Sequence, residues 1–176
     1  MTAFILGGAS LTGVLSRKVH GSMGTFDMAV DSTQLVNGLV TVEPRAIGSG
    51  HTIIFQFDVP VTASGTVSVT PTGVATTSSS GSEVSVNLTG VPDNQRVSVT
   101  LAEVNAAVSL PPVPMGFLVG DVNNTRSVNS SDISGVKARS GQSTTAANFK
   151  FDVNASGAVN SSDISAVKAR SGLTLP

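Results

Sequence analysis

Two stretches of the sequence, offset by 31 residues, place oxygen-bearing side chains at a spacing that suits a hard divalent cation. Asp121–Gly141 aligns without gaps on Asp152–Gly172, and sixteen of the 21 aligned positions are identical. That identity identifies two copies of one supersecondary unit. In the second copy Asp152, Asn154, Ser156, Asn160 and Asp163 stand at positions 1, 3, 5, 9 and 12 of a 12-residue loop, and Ala158 at position 7 can add its carbonyl. Ca²⁺ takes six to eight oxygens at about 2.3–2.6 Å, and a loop of this periodicity wraps one ion. Gly157 at position 6 permits the sharp turn. The same residues also read as an empty Asx-type turn that only starts a helix.

A helix must follow each loop. Ser161 or Ser162 is expected as its N-cap, with Ile164, Val167 and Ala169 as an apolar stripe and Lys168 and Arg170 near the C-terminal end, where cations are favoured. The first copy offers Ile133, Val136 and Ala138, with Lys137 and Arg139. Two short helices with matching stripes can pack antiparallel.

The paired loop-helix units, from about Gly120 to Leu175, resemble the type I dockerin module, whose loops follow D-x-N-x-D-G-x-V-N-x-x-D. The resemblance implies a first calcium site from Asp121, Asn123, Thr125, Ser127 through its carbonyl, Asn129 and Asp132. It implies a second from Asp152, Asn154, Ser156, Ala158 through its carbonyl, Asn160 and Asp163. Position 5 is neutral in both loops (Thr125, Ser156), so each has two carboxylates and is expected to bind more weakly than a three-carboxylate loop. Arg126 replaces the glycine at position 6 of the first loop, which makes the second the stronger candidate for Ca²⁺. In dockerins, loop positions 10 and 11 face the partner. Here they are Ser130, Ser131, Ser161 and Ser162, beside basic Lys137, Arg139, Lys168 and Arg170. Serines there serve equally as helix caps.

Upstream, Val, Thr, Ser and Gly dominate, in short alternating runs separated by turn residues. In His51 to Val59, residues Ile53, Phe55, Phe57 and Val59 share one face; Phe26, Met28 and Val30 alternate likewise. Further strands are expected at Leu39–Val42, Gly65–Thr70, Ser82–Leu88, Arg96–Leu101 and Val104–Leu110, with Thr76–Ser82 as a Ser/Gly-rich hairpin loop. The spacing predicts a mainly β chain, with an immunoglobulin-like antiparallel sandwich over 12–110, a proline-rich linker at 111–116 and the small helical module at 117–176. Segments such as Ser16–Gly21, Gly24–Asp27 and Asn87–Val91 look like the sandwich that precedes dockerin-like repeats in bacterial secreted multidomain proteins. Residues 1–11 fit a frayed tail, an edge strand or a strand lent to a neighbour through Ala3–Leu6.

The 176 residues include no Cys, Trp or Tyr, and 12% are charged, about half the usual ~25%. Disulfides and Cys-based metal sites are excluded, and a net charge of -1 gives no basic surface for nucleic acid. No apolar run reaches the ~18 residues of a membrane span. The two histidines, His20 and His51, have no neighbouring carboxylate in the sequence, and no phosphate-loop, dinucleotide or zinc spacing occurs, so no catalysis is expected. Loops with few carboxylates fill best at millimolar calcium, outside the cell or at its surface. With no larger domain in this sequence to tether, a self-assembling structural subunit, such as that of a filament or surface layer built from copies of the chain, is the first functional expectation. Docking of an attachment module onto a cohesin-like receptor is the alternative.

Overall fold

In the computed structural model, residues 9–176 are described; the segment expected to act as an exchanged or edge strand, Ala3–Leu6, lies outside them. Nine strands come first: β1 (Leu11–Val19), β2 (Thr25–Ala29), β3 (Thr41–Glu43), β4 (His51–Phe57), β5 (Thr66–Thr70), β6 (Val74–Ser80), β7 (Glu83–Thr89), β8 (Gln95–Ala102) and β9 (Val113–Phe117). They form two sheets, ordered β2-β1-β4-β7-β6 and β3-β9-β8-β5. The alternation in β4 works as expected: Ile53, Phe55 and Phe57 turn inward and meet Val84, Val86 and Leu88 of β7. Val97, Val99 and Leu101 of β8 and Met115 of β9 close the core from the other sheet, so the chain is a mainly β sandwich followed by a small α module.

Four local expectations are corrected. The proline-rich segment 111–116 is not a linker, because Val113–Phe117 is a fully buried strand between β8 and β3. Its prolines are tolerated since β3 pairs with it only from Met115 onward, leaving one edge open at Pro114. That β3–β9 pairing is parallel, where a wholly antiparallel arrangement was expected. The Ser-rich stretch 76–82 is mostly strand β6, an exposed edge paired with β7, and the turn is confined to Gly81 and Ser82. Thr and Ser on a solvated edge have loop-like composition while keeping strand geometry. Val104–Leu110 is a tight turn closed by one Val104–Val108 bridge, with Asn105 and Ala106 at φ 51° and 59°.

The tail contains α1 (Ser130–Lys137), β10 (Gln142–Ser143), a 3₁₀ turn at Phe149–Phe151, β11 (Ala158–Val159) and α2 (Ser161–Lys168). Its core is not its own. Val122, Val128, Val136, Val153, Val159, Val167 and Leu175 pack with Val40 and Val42 from the sandwich. Leu175 lies so close to Gly116 that a Cβ there would meet its Cδ1 at 2.4 Å. Residues 42–46 run between the two loops as a common spine. The Val42 amide donates to Asn124 Oδ1 (2.7 Å) of the first loop, and the Ala46 amide donates to the Val153 carbonyl (2.7 Å) of the second.

On this spine Glu43 and Arg45 form an ion pair with both side chains at 0% exposure. Arg45 also donates to the Ser16 carbonyl (2.9 Å) and the Phe26 carbonyl (3.2 Å), and Ser16 donates to Glu43. Nearby His51 is buried against Phe117, ring centroids 4.6 Å apart. Burial, reinforced by Lys18 and Arg45, pulls its pKa from 6.5 down to about 4 against the opposing pull of Glu43. A folded state that resists protonation loses stability as pH falls through that window and keeps all of it above 6.5. Urea unfolding is therefore expected to report about 2 kcal/mol less stability at pH ~5 than at pH ~7. His51→Met should flatten that slope.

Candidate metal centres

Each loop starts from a buried aspartate. In the first, Asp121 Oδ1 accepts from the Thr125 amide (2.9 Å) and Oδ2 from the Arg126 amide (2.7 Å). In the second, Asp152 Oδ1 accepts from the Ser156 amide (2.9 Å) and Oδ2 from the Gly157 amide (2.8 Å). The closing aspartates match as well: Asp132 accepts from the Asn123 and Asn129 amides (3.3 and 3.0 Å), Asp163 from the Asn154 and Asn160 amides (3.2 and 2.9 Å). Carbonyls at position 7 point the same way in both copies, each accepting from the hydroxyl at position 5: Thr125 to Ser127 (3.1 Å), Ser156 to Ala158 (3.2 Å).

Arg126 does not spoil the first loop. It takes φ +66°, in the left-handed region that Gly157 reaches with φ +99°, so the backbone turns alike. An L side chain there costs roughly 1 kcal/mol, and the hydrogen-bonded loop absorbs it. Glycine at position 6 ranks the second loop above the first in the sequence, and in the fold both loops turn through the left-handed region at that position.

The helix starts differ from expectation. Asn129 and Asn160, not the serines, are the N-caps; their side chains accept from the Ser131 and Ser162 amides (2.8 Å each), and Asp132 and Asp163 complete capping boxes. The aspartate and asparagine that start the helix are thus the ones that close the loop. Of the two stripes, Val136 and Val167 are fully buried, Ile133 and Ile164 partly, and Ala138 and Ala169 are exposed C-caps.

Among the described residues no three His, Cys, Asp or Glu side chains cluster as a metal site. Each loop instead combines two carboxylates with amide, hydroxyl and carbonyl oxygens, a set that suits Ca²⁺ and disfavours softer ions. The residues fit such an ion. Burial, aided by repulsion from Asp132, raises Asp121 above the usual carboxylate range, and burial with repulsion from Asp152 raises Asp163. Two buried carboxylates facing each other lack a compensating charge, which a divalent cation would supply.

The residues expected to meet a partner divide. Ser130, Ser131 and Lys137 are exposed on α1, as are Ser161, Ser162 and Lys168 on α2. Ser131 and Ser162 nonetheless belong to the loops, accepting from Asn123 and Asn154 (2.8 and 2.7 Å). Arg139 is folded over Phe151, 3.7 Å from its ring centre, and Arg170 is paired with Asp93 of the sandwich. Neither arginine is free in the way the sequence led us to expect.

His20 is the other correction. Its ring is fully buried with Nδ1 2.8 Å from Asp152 Oδ2, so it does have a carboxylate partner, at position 1 of the second loop. Thr144 donates to the same oxygen (2.7 Å). Burial alone would raise Asp152, but His20, Thr144 and the Gly157 and Ser156 amides together hold it below its ordinary value. With His20 and Asp152 132 positions apart, no local pattern signals the contact.

These loops and helices define a duplicated calcium-type loop-helix module. Residues 119–170, less than a third of the chain, match the family model of the dockerin type I domain, a family that binds calcium and docks onto cohesins. No curated protein and no solved structure matches the chain.

Proposed function

We propose that the chain is a non-catalytic, extracellular attachment unit whose tail holds two calcium ions and docks onto a cohesin-like receptor. The carrying observation is the match of residues 119–170 to the dockerin type I family, together with two equivalent oxygen-lined loops and the exposed serines at both helix starts. Asp121, Asn123, Thr125, Asp132 and the Ser127 carbonyl would hold one ion; Asp152, Asn154, Ser156, Asp163 and the Ala158 carbonyl would hold the other. A bound ion would neutralise the facing carboxylates, and the capping boxes of Asn129 with Asp132 and Asn160 with Asp163 would tie each loop to the start of its helix. Asn129 and Asn160 act chiefly as caps, their Oδ1 atoms already accepting from the helix. Among the described residues both histidines are packed into the fold, His20 against Asp152 and His51 against Phe117, which supports the non-catalytic reading.

Self-assembly, the first expectation from the sequence, gains no support from the family match, and its suggested joint falls in residues 1–8. In addition, no helix among the described residues is long and apolar enough to cross a membrane.

The test is capture of the chain by immobilised type I cohesin modules in calcium and in chelator, with sedimentation velocity alongside. Calcium-dependent capture of a monomer is the expected result. Concentration-dependent oligomers without capture would reverse the order of the two readings. Ser130 and Ser161 stand outside the loop network, so S130Q/S161Q is expected to weaken capture by about tenfold or more with melting unchanged. Either substitution alone should cost less, because the other copy remains.

A further inference from the structure

The loops of two units that share sixteen of 21 aligned residues are supported differently. In the first, Asp121 Oδ2 takes one backbone donor, Arg126. In the second, Asp152 Oδ2 takes three donors: the Gly157 amide, the Thr144 hydroxyl and the His20 ring. Only the last comes from the sandwich. We propose that His20 is a positioning residue for the second calcium loop, so that this loop's affinity, unlike the first's, is set jointly by the tail and the sandwich. The proposal rests on the calcium reading above.

Arg45 and Asp152 flank the His20 ring and fix its orientation. Arg45 Nη1 lies 3.4 Å from His20 Nε2. A guanidinium can only donate, so Nε2 accepts and the ring hydrogen sits on Nδ1, facing Asp152. Arg45 is itself fixed by Glu43 through contacts of 2.7 Å at both Nε and Nη2. Phe26 of the sandwich and Phe149 of the tail stack on each other (5.7 Å, 6°) and meet the His20 ring edge-on at 5.4 and 6.2 Å. The chain Glu43, Arg45, His20, Asp152 therefore runs from the buried ion pair to the first ligand position. With Oδ2 saturated, Asp152 presents Oδ1 to the loop, where the Ser156 amide also points.

The backbone reinforces this contact. The Gly21 amide donates to the Ala155 carbonyl (3.0 Å), and a Cβ on Gly21 would lie 2.3 Å from the Ser156 carbonyl oxygen, so the β1–β2 turn fits only as glycine. The first loop's link to the sandwich uses the Asn124 side chain, at position 4, outside the ligand set. Groups that orient metal ligands from behind typically change affinity by about 10–100-fold.

The experiment is a calcium titration of the full chain by NMR, with the Arg126 and Gly157 amides as reporters of the first and second loops, and calorimetry for the affinities. His20→Leu is expected to weaken the second loop by about 10–100-fold and leave the first within about twofold. His20→Asn should recover most of the loss, because its Nδ2 lies where Nδ1 of the imidazole lies. His20→Gln, whose amide reaches the Nε2 position instead, should not. The Asn and Gln pair decides the matter if the leucine variant fails to fold. Equal weakening of both loops, an unchanged second loop, or equal affinities for the Asn and Gln variants would overturn the positioning role while leaving calcium binding intact. A wild-type chain that takes up no calcium would overturn both.

Discussion

Replacing Arg45 with methionine is expected to remove about 3–5 kcal/mol of stability, the usual cost of leaving a buried charge without its partner. Glu43 has no exposure, and burial by itself would raise its pKa strongly; Arg45 overrides that, with help from His51 and Ser16, and brings it from 4.5 down to about 2. In the wild type this pair contributes stability that is fully present above pH 4.5 and is lost as pH falls toward 2. Without Arg45 the sign reverses. Glu43 would titrate above its unfolded value, so the gap in stability between the variant and the wild type should narrow on mild acidification. For a chain of this length the loss corresponds to a fall in Tm of about 6–20 °C. The double variant E43L/R45M should recover much of it, because apolar groups of similar volume often replace a buried pair with little penalty. Denaturant curves for the wild type and the two variants across pH check this. A single variant that melts with the wild type at neutral pH would mean that the pair does not hold the spine.

The legible part of the molecule is the part encoded locally. The repeat, the ligand spacing, the helix after each loop and most sandwich strands follow from patterns within about ten residues, where periodicity and turn chemistry act. What escaped notice depends on distant partners. Nothing near Pro111–Pro114 announces that Val113 and Met115 belong between β8 and β3, since a strand rich in proline imitates a spacer. The capping asparagines were hidden by serines equally able to cap, and the choice was made by the aspartate three residues on, which closes a box only when Asn129 or Asn160 sits at the N-cap. Glu43 and Arg45 carry one weak hint: in a chain with so few charges, an acidic and a basic residue beside Val40 and Val42 point to an internal pair rather than to surface decoration. Arg139 and Arg170 show the opposite failure, where a charge at a helix end suggested a partner and the fold supplied Phe151 and Asp93 instead.

Removing calcium is expected to lower the melting of the sandwich as well as the tail, in one transition. The reason lies in the shared core. Val40 and Val42 belong to the sandwich by chain order and to the tail by packing, and Leu175 near the end of the tail rests on Gly116 of β9. Melting the tail would strip the cover from these residues and break the spine's bonds to both loops at Asn124 and Val153. A site filled at about a hundred times its Kd adds about 2.7 kcal/mol, which at this size amounts to roughly 5–10 °C in Tm, and two sites give about twice that. Calorimetry in calcium and in chelator should therefore show one peak moving by about 10–20 °C. D132N/D163N, which weakens both loops, should melt at nearly the same temperature in either condition. A record with two peaks, of which only the smaller follows calcium, would separate the tail from the sandwich thermodynamically and show that the shared packing at Val40, Val42 and Leu175 does not couple them.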